Sequence, residues 1–238
     1  MSKISRILAT CLLAAGVSQV APASAATLSV LATADQTIQD TDNDGVPDGL
    51  GPAGDPFLRV LGSGATWRAA LEFNLGALPS TTTLTSATLR LVDGGIQALE
   101  TIEIHGYTGD GAITLADGTI NNFLDSYFVL GTTGTANPHL VDVTAFVQGL
   151  LTGGANFAGF MLKAQTEAAG RTAGAEICSS ESAGTSPCTT DFVPLLTLVF
   201  DDGNGNGGGT VPEPGSLALL GVGALAFAAW RRSRARGS

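Results

Sequence analysis

Ionisable side chains are scarce in this chain. Only 13% of its 238 residues are charged, about half the usual share. Between Ala26 and Thr210 the only cations are Arg59, Arg68, Arg90, Lys163 and Arg171, against 20 acidic residues, a net charge of −15. That excludes nucleic-acid binding, which needs cationic surface to displace counterions, and docking on anionic lipid. Histidine is limited to His105, in a strand-like pattern, and His139, after Pro138 in a loop-like stretch. Both read as structural or exposed. There is no G-x-S-x-G, no H-E-x-x-H and no P-loop. A triad assembled in space leaves no trace in such a count. Glu72, Glu100, Glu103 and Glu167 are acid–base candidates by type alone, and alternation puts Glu72 on an exposed polar face. Aromatic residues make up only 6%. No apolar run reaches full transmembrane length. The run from Leu217 to Trp230 would rise about 21 Å as a helix, less than a ~30 Å hydrocarbon core. Low charge with 32 glycines and many Thr, Ser and Val residues describes a secreted β-protein, not a cytosolic enzyme or a disordered tail.

The two ends read as addresses. Lys3 and Arg6 precede a short apolar stretch, Ile7 to Val17, and Ala23-Ser24-Ala25 has the form of a leader cleavage site. Residues 1–25 are therefore expected to be a signal peptide. Cys11 lies inside its apolar stretch, so it is not placed as a lipoprotein cysteine. At the other end, Val211-Pro212-Glu213-Pro214-Gly215 leads into Leu217 to Trp230, closed by Arg231, Arg232, Arg234 and Arg236. In order and composition, residues 211–238 resemble the PEP-CTERM sorting signal of exopolysaccharide-producing Gram-negative bacteria. That resemblance implies recognition by an exosortase, cleavage near Pro212, Glu213 and Pro214, and delivery to the cell surface or extracellular matrix. The arginines resist translocation and are expected to stay cytoplasmic. The alternative is a plain C-terminal anchor. The stretch 201–210, rich in Gly, Asn and Asp, has almost nothing apolar to bury and reads as a linker.

The remaining residues, 26–200, read as one all-β domain. Apolar and β-branched runs recur at Leu28–Ala32, Phe57–Leu61, Trp67–Leu75, Leu84–Val92, Thr101–Tyr107, Phe157–Ala164 and Pro194–Phe200. Leu71, Phe73 and Leu75 alternate with Ala70, Glu72 and Asn74, and Ala87, Leu89 and Leu91 with Ser86, Thr88 and Arg90, a period of two. The first series extends back to Trp67, which is expected to face the core. Asp93-Gly94-Gly95, Gly109 to Gly111 and Thr152-Gly153-Gly154 read as turns. Val143 to Leu151 has helical spacing, with Thr144 as a candidate cap. The expected architecture is an antiparallel, jelly-roll-like β-sandwich with one short helix. Cys178 and Cys188 are the only cysteines beyond the leader. In an oxidising compartment they are expected to form a disulfide contributing about 2–3 kcal/mol.

The run from Trp67 to Pro79, containing Arg68, Leu71, Phe73, Asn74 and Leu75, is followed by Leu84-Thr85-Ser86-Ala87-Thr88-Leu89-Arg90-Leu91. This pair of segments resembles the DNRLRE domain, a secreted module related to carbohydrate-binding modules. Val141 to Val147, Gly159 to Ala164, Cys178 to Ser182 and Pro194 to Leu198 match more loosely. The resemblance implies the sandwich fold and a polysaccharide partner. Sugar platforms combine aromatic faces with polar groups, so Tyr107, Tyr127, Arg68 and Arg90 are the candidate ligand-binding residues. The resemblance is weakest around Asp40 to Gly54. There Asp40-x-Asp42-x-Asp44-Gly45-x-x-Asp48 has the alternating carboxylates that suit a hard cation. Asp40, Asp42, Asp44, the Val46 carbonyl and Asp48 are candidate calcium ligands. The twelfth position is Gly51 rather than a bidentate Glu, and the same residues also make a solvated acidic turn.

Overall fold

The computed structural model describes residues 25–129, 137–167, 174–182, 188 and 190–201. The expected signal peptide, the linker beyond Asp201, Arg171 and the whole 211–238 segment, including Pro212, Glu213, Pro214, Arg231 and Arg232, lie outside the described residues. The described strands are β1 (Ala25–Asp40), β2 (Gly49–Leu50), β3 (Phe57–Ser63), β4 (Ala65–Asn74), β5 (Leu84–Ala98), β6 (Glu100–Gly109), β7 (Phe123–Val129), β8 (Asn137–Asp142), β9 (Phe157–Ala164), β10 (Gly174–Cys178) and β11 (Leu195–Asp201). The one α-helix among these residues, α1, spans Thr144–Thr152. Fold class is as expected: antiparallel β throughout the described ladders, with one short helix.

The long strand β1 decides the architecture. Its first half, Ala25 to Leu31, pairs with β11, and Ala32 to Asp40 pairs with β4 across a register shift between Ala32 and Ala34. A bulge at that point bends a strand and increases its twist, so β1 passes from one layer to the other. From β4 the pairing continues through β3, β10, β5 and β11 and returns to β1. That circuit is closed, and closure removes most free strand edges. β9, β6 and β7 extend from β4, and β8 adds to β5.

Side-chain alternation fills the space between the layers. Leu71, Phe73 and Leu75 meet Leu89, Leu91, Ile102, Ile104, Phe160, Leu162, Leu196 and Leu198 in one core. Phe73 and Phe160 pack edge to face with centroids 5.8 Å apart, an arrangement that suits the aromatic quadrupole. α1 adds Val147 and Leu151 to this core, with Phe146 and Leu150 packed against it. Its start is held by Asp142, whose carboxylate accepts the Thr144 N–H at 2.9 Å. Thr144 therefore does not act as the cap; its hydroxyl instead accepts the Ala87 N–H at 2.8 Å. Trp67 is also not in the core. It is half-buried, with the Arg59 guanidinium 5.5 Å from its ring centroid.

The expected turn at Asp93-Gly94-Gly95 is strand interior, within β5. The reason is packing. A Cβ on Gly94 would lie 2.5 Å from Cys188 Sγ and 2.8 Å from the Phe57 ring, and one on Gly95 would lie 2.6 Å from Glu176 Oε2. Gly94 makes room for the Cys178–Cys188 disulfide, which packs with Val92, Phe57 and Phe192 in a small second core, and Gly95 makes room for the Glu176 side chain.

Candidate functional site

The acidic loop begins inside the fold and ends outside it. Asp40 closes β1 and is 3% exposed. The chain then turns through Thr41 to Asp48 and returns as β2, which pairs Gly49 with Gln39 and Leu50 with Ile38. The turn needs left-handed backbone at two places, Asn43 (φ 58°) and Gly45 (φ 92°). Asn and Gly tolerate that region best. Asn43 is also anchored, donating to the Gly64 carbonyl at 2.8 Å and accepting from the Thr66 hydroxyl at 2.9 Å.

Asp40, Asp42 and Asp44 each present a carboxylate oxygen, and the three oxygens lie within 4.8 Å of one another. Asp40 Oδ2 accepts the Gly45 N–H at 2.9 Å, and Asp44 Oδ1 accepts the Val46 N–H at 2.8 Å. Asp48, expected as a further ligand, is not part of this cluster. Its carboxylate accepts the Thr41 N–H and the Thr41 hydroxyl, and those bonds hold its pKa below the usual carboxylate range. Val46 has an exposed side chain.

Beneath the loop, Arg68 is 8% exposed. It grips Glu167 with two bonds of 2.7 and 2.8 Å and donates to the Gly118 carbonyl at 2.5 Å. The Glu167 carboxylate raises its pKa, with a smaller contribution from the field of Asp40. Gly118, in the short 3-10 turn Leu115–Thr119, sits against Ile38 and Pro47. Arg68 thus braces that turn beside the acidic loop. It does not offer its guanidinium to solvent.

The other expected ligand-binding residues are in separate settings. Tyr107, expected on the surface, is 7% exposed. Its ring lies over Gly159, where a Cβ would collide with it. Burial, and then the neighbouring Glu72 carboxylate, raise its pKa. Tyr127 is half-buried, stacked on His139 with centroids 4.0 Å apart. Both residues face Asp93, which accepts from His139 at 2.7 Å and lies 3.5 Å from the Tyr127 hydroxyl. Arg90 donates to the Val193 carbonyl at 3.2 Å. The four residues do not converge on one groove.

Glu72 departs furthest from expectation. It is 0% exposed, because Tyr107 and the Gly109–Gly111 segment cover the outer face of β4. Its carboxylate accepts the Gly111 N–H at 2.5 Å, while burial raises its pKa. His105 is buried and bonded to Glu103 at 3.1 Å, and burial lowers its pKa. Sequence reasoning also passed over Asp35, which accepts the Ser180 N–H at 2.7 Å and whose pKa burial pushes up to about 7. Its contact crosses 145 residues of chain, so no local pattern signals it.

One family model matches the chain: the PEP-CTERM protein-sorting motif, at residues 210–233. The match marks the chain as an exported protein sorted by an exosortase in a Gram-negative bacterium. A comparison with curated proteins finds no match.

Proposed function

We propose that this is a non-catalytic surface or matrix protein whose β domain is released from its C-terminal handle and associates with extracellular polysaccharide. The sorting motif at residues 210–233 is the observation that carries the reading. The polysaccharide partner rests on the DNRLRE-like strand pair, Trp67 to Leu75 and Leu84 to Leu91. Mass spectrometry of the chain recovered from its own cells tests the processing. A mature C-terminus near Pro212 supports it, and an intact tail ending at Ser238 overturns it. A glycan array on the processed protein, with a polysaccharide from the same cells, tests the partner.

A second reading is favoured by the placement of the candidate residues. Arg68 and Tyr107 are buried, Arg90 is bonded to backbone and Tyr127 is stacked on His139. A β domain with this surface can serve as a structural or adhesive spacer that binds no glycan, and silence across the array selects that reading. Release of reducing sugar would instead make the protein a polysaccharide-active enzyme.

A further inference from the structure

We infer that Asp40, Asp42 and Asp44 hold one calcium ion at the β1–β2 turn. Two oxygens bound to one calcium at about 2.4 Å can be no more than about 4.8 Å apart. The three carboxylates meet that limit without any rearrangement. Hard carboxylate oxygens with no fixed octahedral arrangement suit calcium, which accepts irregular coordination, better than magnesium, which demands a near-ideal octahedron.

The second observation is independent of the clustering. Asp40 is 97% buried by its 3% exposure, and its Oδ1 has no hydrogen-bond donor. Buried carboxylate oxygens are costly when unsatisfied. This one belongs to the residue that forms the floor of the cluster, while Asp42 and Asp44 are exposed at its mouth. Among the described residues, no ion pair joins a cationic side chain to the carboxylates of the loop. From Asp40 to Leu58 there is no Lys or Arg. Arg59 is paired with Asp55 and Glu176, Arg68 with Glu167, and Lys163 with Glu103. The field of Arg68 reaches Asp40, but its donors are directed at Glu167 and Gly118. Water or a partner's oxygen can fill the remaining calcium positions from the solvent side.

The test uses the full chain in non-ionic detergent, stripped with chelator and titrated with calcium chloride by calorimetry. One binding event per chain is expected, with Kd about 10⁻⁴ to 10⁻³ M, as for extracellular calcium modules. In 10 mM calcium the melting temperature should rise by about 5 °C. Asp42→Asn with Asp44→Asn should fold, since both side chains are exposed, and should lose the calcium-specific rise. An absent heat, a rise kept by the double variant, or equal rises with magnesium and calcium would each overturn the inference. The last would show only screening of the acidic surface.

Discussion

At the scale of single residues, burial sets the chemistry. Asp35 is bonded to the Ser180 N–H, yet desolvation dominates and carries its pKa up to about 7. The folded state therefore holds a proton that the unfolded chain releases near pH 4. Below pH 4 both states are protonated and the contribution is fully present. It is lost as pH rises from about 4 through 7. Asp35→Asn should flatten that decline and leave the variant about 4 kcal/mol more stable than the parent at pH 8, relative to their difference at pH 4. Urea melts at the two pH values measure this; parallel pH profiles would refute it. Glycines supply a contrasting pair. Gly159→Ala should cost about 1–3 kcal/mol by pushing against the Tyr107 ring. Gly149→Ala, in α1 with open space at its Cβ, should gain about 0.5–1 kcal/mol. Thermal melts of the two variants should shift in opposite directions.

At the scale of elements, position in the ladder explains what local sequence conceals. β8 contains Pro138, which supplies no backbone donor, and β8 pairs only with β5 among the described strands. A proline is tolerated there because, among the described strands, nothing pairs with the other edge of β8. Leu140, on the same strand, is 70% exposed, so its apolarity is no guide to burial. β10 is five residues long and is held by β3 on one side and β5 on the other. Its closing residue, Cys178, is bonded to Cys188 ten positions on. Opening that bond with Cys178→Ala and Cys188→Ala should cost about 2–3 kcal/mol, read as a lower urea midpoint. An unchanged midpoint would mean that the disulfide does not constrain the unfolded chain.

At the scale of the whole molecule, closure of the sheet through β1 joins both layers into one cooperative body. Phe73 sits within the shared core and packs edge to face with Phe160. Phe73→Ala should therefore cost about 3–5 kcal/mol and lower the transition of the entire domain as a single step. Two separate transitions would show that the layers unfold independently. Outside that body, the sorting motif should govern destination. A chain stopped before Thr210 should still be exported but should no longer be retained and processed by exosortase, and fractionation of cells with and without that enzyme checks it. If truncation leaves the distribution unchanged, the match at residues 210–233 does not direct sorting.

The strands with strict alternation, such as Leu71 to Leu75 and Ala87 to Leu91, were legible because one face meets the core and period two records it. So were the helix, the antiparallel β class and the terminal sorting motif, whose signals are local in the chain. The fate of the opposite face was not. Glu72 and Tyr107 look like surface residues in sequence, but the Gly109–Gly111 segment, bonded to Glu72 across 39 positions, covers Glu72, and Tyr107 is buried with its ring against Gly159. The same holds for Asp40, Asp42 and Asp44: their spacing is written in the chain, whereas the burial of Asp40 beneath two exposed partners comes from β1 crossing onto β4. Periodicity fixes which residues share a face of a strand; only the neighbours brought in by distant chain decide whether that face meets water.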